Sequence, residues 1–223
     1  MRTPEERRGI RSRFTALETA TVADVLDSLG LHDQSLSPDL RAVCGDGLAG
    51  WAYTIVGHMQ PSEVCPDPAK IEACDGIGPD EVSVWSGQGV GICYFGEMIA
   101  VGMREHGSVG ALVDGGVRDV RWLRHHRFPV VARYVTPTQS LGRWRVIGRQ
   151  VPVRLPGATS TWTTIRPGDF VLSDDDGTVV IPDEHVDEAL VRAERLTESE
   201  ARIRAALADG SPLAECVDRF GNV

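Results

Sequence analysis

Apolar residues in this chain fall in short runs of the length expected for buried strands. One run, 110–113, begins at Gly110 and is soon followed by Gly115 and Gly116. A short apolar run bounded by glycines is typical of a strand buried on both faces. The sequence therefore predicts a central strand, a turn at the paired glycines, and a helix that starts at Arg118 and Asp119.

Further strands are predicted by β-branched and aromatic content at 51–59, 79–85, 92–95, 128–132 and 144–155, and a hairpin with an Asp-Gly turn at 167–182. Helices are predicted at 4–18, from 21 to about 29, at 67–75, from 96 to 103, after 118 and at 183–208. Thr3, Pro4 and Glu6 give the first helix a capping-box signal. Strands that alternate with helices in this way predict an α/β fold.

The last predicted helix carries one apolar stripe, formed by Val186, Leu190, Ala193, Leu196, Ile203 and Leu207. A terminal helix of this length is expected to pack on a neighbouring subunit.

Composition narrows the class of protein. A chain of 223 residues can bury about 70% of its unfolded surface, so one α/β domain suffices. The net charge of −9 argues against nucleic-acid binding, because phosphate neutralisation needs a basic face. The basic run from Arg118 to Arg127 is explained more simply as one solvated helix face. No run reaches the roughly 18 apolar residues of a membrane span, and we expect a cytoplasmic protein without membrane contact.

Cysteine and lysine content limit the chemistry. Five cysteines at 44, 65, 74, 93 and 216 form no C-x-x-C pair, which favours reduced, mostly structural thiols. Lys70 is the only lysine, and it lies in a polar, Pro-rich segment that does not look like a desolvated pocket. An enzyme that forms an imine needs a lysine in its site. Imine chemistry is therefore nearly excluded.

Three motifs have a competing functional interpretation. Gly87–Gly91 resembles a dinucleotide-binding loop, but Ile92 occupies the place of the final glycine and a strand-like run follows. The acidic run Asp174–Asp176 lacks the spaced ligands of a calcium loop and favours a turn. His58 has no second ligand at useful spacing and is predicted to be a core or edge histidine.

The candidate site combines the central strand with the helix that precedes it. Arg118 supplies a planar cation for a carboxylate or enolate, and Asp119 supplies a hard oxygen ligand for a divalent metal. The first turn of the earlier helix contains Glu97 and the free amides of Met98 and Ile99, which suit an anion. Successive strand–helix units bring these residues to one end of a sheet. The alternative is a surface ion pair and a carboxylate that complements a helix dipole.

Four motifs in order carry a resemblance to a known family. They are Gly-Glu-Met-Ile at 96–99, Gly-x-x-x-Asp-Gly-x-x-Arg-Asp at 110–119, Phe-Pro-Val at 128–130, and Pro-Gly-Asp-x-Val-x-x-Asp-x-Asp-Gly-x-Val-x-x-Pro at 167–182. Over residues 20–210 the chain resembles the RraA-like family of class II 4-hydroxy-4-methyl-2-oxoglutarate / 4-carboxy-4-hydroxy-2-oxoadipate aldolases. The resemblance implies one swivelling β/β/α-type domain over 1–223, with its core at about 20–182. It also implies a homotrimer or hexamer with sites between subunits.

The resemblance also implies roles for individual residues. Asp119 matches the direct protein ligand of Mg²⁺ or Mn²⁺, with waters filling most of the shell. Arg118 matches the arginine that holds the pyruvyl oxygen and stabilises the enolate. The amides of Met98 and Ile99 match those that hold the substrate carboxylate. Glu97, which would handle a proton, stands where the characterised aldolases have Asp.

One further residue is implied from a neighbouring subunit. The family uses a Glu from the neighbour's C-terminal helix, and Glu200 matches it best, with Glu198 as the second choice.

The resemblance implies a metal-dependent lyase that cleaves a 4-hydroxy-2-oxo acid by a retro-aldol reaction and releases pyruvate. Decarboxylation of oxaloacetate is expected as a side activity, since it forms the same enolate. A second hypothesis is a non-catalytic regulator of the ribonuclease E inhibitor type, although such regulators tend to lack the metal-binding Asp. A third is a related lyase, hydratase or isomerase with a different substrate.

Overall fold

A computed structural model describes residues 2–63, 66–87 and 90–220, and the strands of that part of the chain form one mixed sheet and a small hairpin. The sheet order is β1-β6-β5-β3-β2-β10-β11, with β4 beside β5 and β7 beside β2, while β8 pairs with β9. The strands are β1 (Arg41–Cys44), β2 (Leu48–Met59), β3 (Glu81–Ser86), β4 (Cys93–Phe95), β5 (Gly110–Val117), β6 (Val130–Val135), β7 (Trp144–Arg149), β8 (Val153–Leu155), β9 (Thr163–Ile165), β10 (Phe170–Ser173) and β11 (Thr178–Ile181).

Helices flank this sheet, which confirms the predicted α/β class. They are α1 (Pro4–Phe14), α2 (Thr19–Ser28), α3 (Pro68–Asp75), α4 (Glu97–Glu105), α5 (Val120–His125), α6 (Val186–Ala208) and α7 (Leu213–Phe220), with a 3₁₀ turn at Asp183–His185. Strands β2, β3, β5 and β6 are parallel neighbours, and the pairs toward the sheet edges are antiparallel. No helix of the described residues is long and apolar enough to cross a membrane.

Strand β5 lies in the interior of the sheet, between β6 and β3, and differs from the sequence prediction in one respect. The predicted turn at Gly115 and Gly116 is wrong, because β5 continues through both glycines and pairs with β4 and β6 at Gly116. A Cβ atom at Gly115 would overlap the phenol ring of Tyr94, whose hydroxyl donates to the carbonyl of Asp114. The glycines therefore permit close packing within a buried strand instead of a change of chain direction.

The N-terminal helices are capped in two different ways. The predicted capping box of α1 is present, with Thr3 and Glu6 exchanging hydrogen bonds, although α1 ends at Phe14 and not at residue 18. Helix α2 begins at Thr19, two residues before the predicted start, and its N-cap residue makes no side-chain cap. The carboxylate of Asp174 accepts hydrogen bonds from the Thr19 amide at 2.7 Å and the Thr19 hydroxyl at 2.5 Å. The cap of α2 is therefore supplied by another part of the chain.

That carboxylate belongs to the predicted hairpin, which the structure confirms as β10 and β11. Asp174 also accepts a hydrogen bond from the amide of Asp176 at 2.9 Å. The acidic run Asp174–Asp176 thus forms a turn, as predicted in preference to a calcium loop, and its first residue caps α2.

Helix α6 confirms the predicted C-terminal helix. It packs against α2 and α1 of its own chain, where Val186, Leu190 and Ala193 are buried. Leu207, assigned to the same stripe, is 39% exposed because it lies beyond this contact. The apolar stripe is mostly satisfied within one chain, and contact of α6 with a neighbouring subunit stays a prediction.

Helices α3, α4 and α5 cover a common part of the sheet. Ala73 of α3, Met103 of α4 and Leu123 of α5 are fully buried in one apolar cluster with Trp85 of β3. This shared packing brings the N-terminal end of α4 and the residues before α5 beside α3.

Candidate active site

A cavity of about 340 Å³ opens where α3, β4, α4 and the segment after β5 meet. Its walls are largely apolar, and a loop at 139–141 closes one side. The charged groups that line it are Asp67, Lys70, Asp75, Arg118 and Asp119. An apolar cavity with a few convergent polar groups is the usual form of a small-molecule site.

Arg118 and Asp119 follow β5 directly and form one edge of the cavity. The amide of Arg118 donates to the carbonyl of Phe95 at 3.1 Å, which ties this segment to β4. Asp119 is the N-cap of α5 in the left-handed conformation, with φ of 60°, and its side chain does not cap the helix. Nε of Arg118 lies 3.5 Å from Oδ2 of Asp119, and both side chains are partly exposed. Both charged groups are thus available at the cavity.

The N-terminus of α4 lies against the same carboxylate. The amide of Glu97 is 3.4 Å from Oδ2 of Asp119. The first hydrogen bond within α4 runs from Ala100 to Gly96 at 3.0 Å, so the amides of Met98 and Ile99 precede it and have no helical acceptor. Such amides favour an anion. The predicted convergence of Glu97, Arg118 and Asp119 is therefore present in the structure, while their chemical roles stay predictions.

The side chain of Glu97 contacts His126, which the sequence pattern did not indicate as part of the site. Oε1 of Glu97 lies 3.2 Å from Nε2 of His126, and each side chain is 25% exposed. His126 follows α5 and stacks on Trp122, with ring centroids 6.4 Å apart. The assignment of the whole basic run to one solvated helix face is wrong at Arg118, which lines the cavity, and at His126, which contacts Glu97.

Lys70 lies in the cavity wall, so the prediction that it lies outside any desolvated pocket is wrong. Its Nζ is 3.4 Å from the hydroxyl of Ser140 and lies 5.7 and 5.8 Å from the ring centroids of Trp85 and Trp144. Burial lowers the pKa of the Lys70 ammonium from 10.5 to about 8. Ala73 and Cys74, three and four residues later on α3, share its inward face, and this spacing is the signal that sequence reasoning overlooked.

Two thiols, Cys74 and Cys93, also line the cavity. Burial raises the pKa of the Cys74 thiol to about 11 and raises that of Cys93 above its ordinary value. Thiols with raised pKa values are protonated at neutral pH and are weak nucleophiles. They therefore serve as packing groups, in agreement with the predicted structural cysteines, although Cys65 lies outside the described residues.

Other predicted motifs lie away from the cavity. Glu200 is on α6, where its carboxylate contacts Arg204 at 3.0 Å and Thr21 at 3.4 Å, and Glu198 is exposed on the same helix. The entry of Glu200, or of Glu198, into a neighbouring subunit's site stays a prediction. His58 is exposed and contacts Gln60 at 3.1 Å, as expected for an edge histidine. Gln88 and Gly89 of the glycine-rich stretch lie outside the described residues.

The donor set at Asp119 fits a magnesium-like ion. Within the described ranges, no group of three or more His, Cys, Asp or Glu side chains is arranged to hold a metal. A single partly exposed carboxylate matches Mg²⁺, which keeps several waters and binds one or two protein carboxylates together with its substrate. Arg118 and the amide of Glu97 both contact Oδ2 of Asp119, so Oδ1 is the carboxylate oxygen that neither of them contacts.

Comparison with known proteins identifies the family. The family model described as RraA-like, Aldolase/RraA, matches residues 19–180. The chain belongs to the RraA-like family. Among curated relatives, this RraA-like chain is 28% identical over 209 residues to the "Putative 4-hydroxy-4-methyl-2-oxoglutarate aldolase" of Halalkalibacterium halodurans, covering 87% of each protein.

Two further proteins resemble this RraA-like chain. DlpA of Legionella pneumophila is 27% identical over 203 residues, which cover 91% of this chain, but the chain spans only 32% of the length of DlpA. The solved structure of Streptomyces coelicolor RraAS2, an unusual member of the RNase ES inhibitor RraA protein family, is 25% identical with a TM-score of 0.75. That match covers 88% of this chain and 96% of RraAS2. Relatives thus include both aldolase and inhibitor names.

Proposed function

We propose that this RraA-like protein is a divalent-metal-dependent lyase that cleaves a C–C bond of a 4-hydroxy-2-oxo acid and releases pyruvate. The observation that carries the proposal is the placement of Arg118, Asp119 and the free α4 amides around one apolar cavity. A 2-oxo acid presents a carboxylate beside a carbonyl, and these groups match an amide pair beside a cationic fork.

The pyruvyl end binds at the start of α4. The amides of Met98 and Ile99 donate to the carboxylate, and the Arg118 guanidinium donates to the 2-oxo oxygen. Asp119 would hold Mg²⁺ or Mn²⁺, which when bound polarises the 2-oxo group as a Lewis acid. Arg118 stabilises the negative charge that develops on that oxygen, an effect of about 3 kcal/mol for a well-placed donor.

Cleavage requires removal of the proton from the C4 hydroxyl. The electron pair of that O–H bond forms a new carbonyl, the C3–C4 bond breaks, and its electrons form the enolate of pyruvate. Protonation of C3 then gives pyruvate. Glu97, which lies in the first turn of α4 and pairs with His126, would manage these protons. Oxaloacetate loses CO₂ to the same enolate, so decarboxylation is the expected side activity.

The proposed assembly is a homotrimer or hexamer in the cytoplasm. In this arrangement Glu200, or Glu198, of a neighbouring subunit completes the site. The four free cysteines of the described residues suit a reducing compartment.

The test is a coupled pyruvate assay with 4-hydroxy-4-methyl-2-oxoglutarate, 4-carboxy-4-hydroxy-2-oxoadipate and oxaloacetate, each with Mg²⁺, Mn²⁺ or EDTA. We expect metal-dependent pyruvate release, and a loss of about 100-fold or more in Asp119→Asn. Asn is chosen because it tolerates the left-handed conformation of residue 119. Asp24→Asn, at an exposed position on α2, is the matched control. Activity that survives both EDTA and Asp119→Asn contradicts the metal-dependent mechanism.

The similarity to RraAS2 favours one second candidate, a protein regulator that binds a ribonuclease. A specific ribonuclease complex together with no turnover of any 2-oxo acid would support that function instead.

A further inference from the structure

Lys70 carries a partly buried cation that the proposed cleavage reaction leaves without a role. It is the only lysine of the chain, and it lines the same cavity as Arg118 and Asp119. In the described part of the chain its ammonium has one hydrogen bond, to Ser140 at 3.4 Å, and no carboxylate within ion-pair distance. A partly buried ammonium with donors to spare is costly unless an anion partners it.

The position of Lys70 is held firmly by its surroundings. Asp67 caps α3 by accepting from the Ala69 amide at 3.2 Å, and its second oxygen accepts from the amide of Val146 on β7 at 2.9 Å. Trp85 and Trp144, both almost fully buried, lie beneath the ammonium. Two indole faces stabilise a cation but cannot accept a conventional hydrogen bond from it. The charge is therefore retained in the cavity wall with its hydrogen-bonding capacity largely unused.

The two cations of the cavity lie on separate elements, Lys70 on α3 and Arg118 after β5. Two carboxylates line the same side of the cavity as Lys70. Asp67 is already engaged by two amides and by Arg145 at 3.7 Å, and Asp75 lies 3.8 Å from His106. We propose that Lys70 is a specificity-determining residue that binds a second carboxylate, at the end of the substrate remote from the pyruvyl group. This inference rests on the proposed function for the orientation of the substrate, with its pyruvyl end at α4.

Protonation supports this assignment at neutral pH. With a pKa of about 8, roughly nine in ten Lys70 side chains are protonated at pH 7, and a bound carboxylate favours the charged form further. A neutral amine of this kind could instead attack a 2-oxo group to form an imine, and the experiment must separate the two roles.

The test uses two non-cleavable ligands that differ only in the distal group, 2-oxoglutarate and 2-oxopentanoate, measured by calorimetry in the presence of Mg²⁺. We expect the wild-type protein to bind 2-oxoglutarate at least about 10-fold more tightly, and Lys70→Met to remove that preference. Affinity for 2-oxopentanoate should change by less than about 3-fold, and Lys70→Arg should retain part of the preference. Arg124→Met, which removes an exposed positive charge outside the cavity, should bind both ligands as the wild type does.

Several results would overturn the inference. Equal weakening of both ligands in Lys70→Met, with an unchanged thermal unfolding curve, would assign Lys70 to the pyruvyl end. An unchanged preference would remove it from recognition altogether. A covalent adduct on Lys70 after borohydride treatment with pyruvate would show an imine-forming amine. If Lys70-dependent binding is found but no 4-hydroxy-2-oxo acid is cleaved, the proposed lyase function fails while the dicarboxylate subsite stands.

Discussion

Nε2 of His126 lies 3.2 Å from Oε1 of Glu97, and this contact joins the end of α5 to the start of α4. The carbonyl of His126 also accepts a hydrogen bond from Arg104 of α4 at 3.2 Å. The backbone of His126 is thus anchored to α4, and its imidazole ring stacks on the indole of Trp122. Because Glu97 is one methylene longer than the Asp that the family resemblance implies at this position, a partner that restricts its rotamers helps to place its carboxylate.

We therefore predict that His126 is a positioning residue for Glu97. His126→Asn should lower kcat for pyruvate release by about 10-fold and leave KM within about 2-fold, because proton transfer and not substrate binding is affected. The neighbouring and exposed His125 provides the control, since His125→Asn removes a ring that contacts Trp122 but not Glu97. Equal losses in the two variants would point to a packing effect of the histidine pair.

Gly96 is predicted to favour metal binding by leaving room for the Asp119 carboxylate. Its backbone is extended, so no conformational strain opposes a side chain, but a Cβ atom there would lie 2.7 Å from Oδ2 of Asp119. Gly96→Ala should weaken Mn²⁺ binding by about 10-fold, measured by electron paramagnetic resonance, because the carboxylate must move. Gly9→Ala on α1, where no atom lies within 4 Å of the new Cβ, should leave binding unchanged and stabilise the fold by up to about 1 kcal/mol. Wild-type Mn²⁺ affinity in Gly96→Ala would contradict the assignment of Asp119.

The depressed pKa of Lys70 predicts a pH-dependent stability. Burial is the main cause, the neighbouring charge of Arg118 lowers the pKa further, and Cys74, Cys93 and Asp67 oppose the shift. Between about pH 8 and 10.5 the unfolded chain binds more protons at this residue than the folded chain does. The contribution of Lys70 to the free energy of unfolding therefore rises with pH across this window.

Lys70→Met lacks this contribution, so the unfolding free energy of the wild type minus that of the variant should increase from pH 8 to 10.5. Urea titrations of both proteins across this range measure it. A constant difference would mean that the ammonium is solvated in the folded protein.

Asp174 is predicted to stabilise α2 from the β10–β11 turn. Burial raises the pKa of its carboxyl, but hydrogen bonds from Thr19, Asp176 and Gly177 outweigh that effect and hold the pKa below its ordinary 3.8. The stabilisation is fully present above pH 3.8 and is lost as pH falls through the lower folded value. Asp174→Asn should cost about 1–2 kcal/mol at pH 7, as loss of a helix cap does, and less in acid.

Asp175→Asn, one residue away and exposed, is the matched control for this cap and should be nearly neutral. Urea unfolding at pH 7 and pH 3 gives both comparisons. A loss that does not shrink at low pH would mean that Asp174 acts through packing and not through its charge.

Local sequence signals were sufficient to predict many of the helices and strands. The capping box of α1, the end of β2 at Met59 and the Asp-Gly hairpin depend on neighbouring residues and are confirmed, although β2 begins three residues earlier than predicted. The order of strands and helices around 92–119 was also sufficient to predict that Glu97, Arg118 and Asp119 lie close together.

Features that depend on tertiary packing were missed. Gly115 and Gly116 look like a turn until Tyr94 packs against them, and Lys70 looks solvated until α3 docks over Trp85 and Trp144. Strands β1 and β9 and helix α7 were not predicted, since short segments carry weak periodicity. The His126 contact requires the crossing of α4 and α5, which no local pattern encodes.

The attachment of α3 to β7 through Asp67 has a consequence for how this cavity can change. The wall that carries Lys70 is an eight-residue helix held at its first turn, while the opposite wall is an extension of the central sheet. Substitutions at the α3 residues that line the cavity, such as Lys70 and Ile71, would alter which molecules fit while leaving Arg118 and Asp119 in place. Exchanging α3 between homologues would accordingly change the selectivity of the cavity while the rest of the fold stays the same.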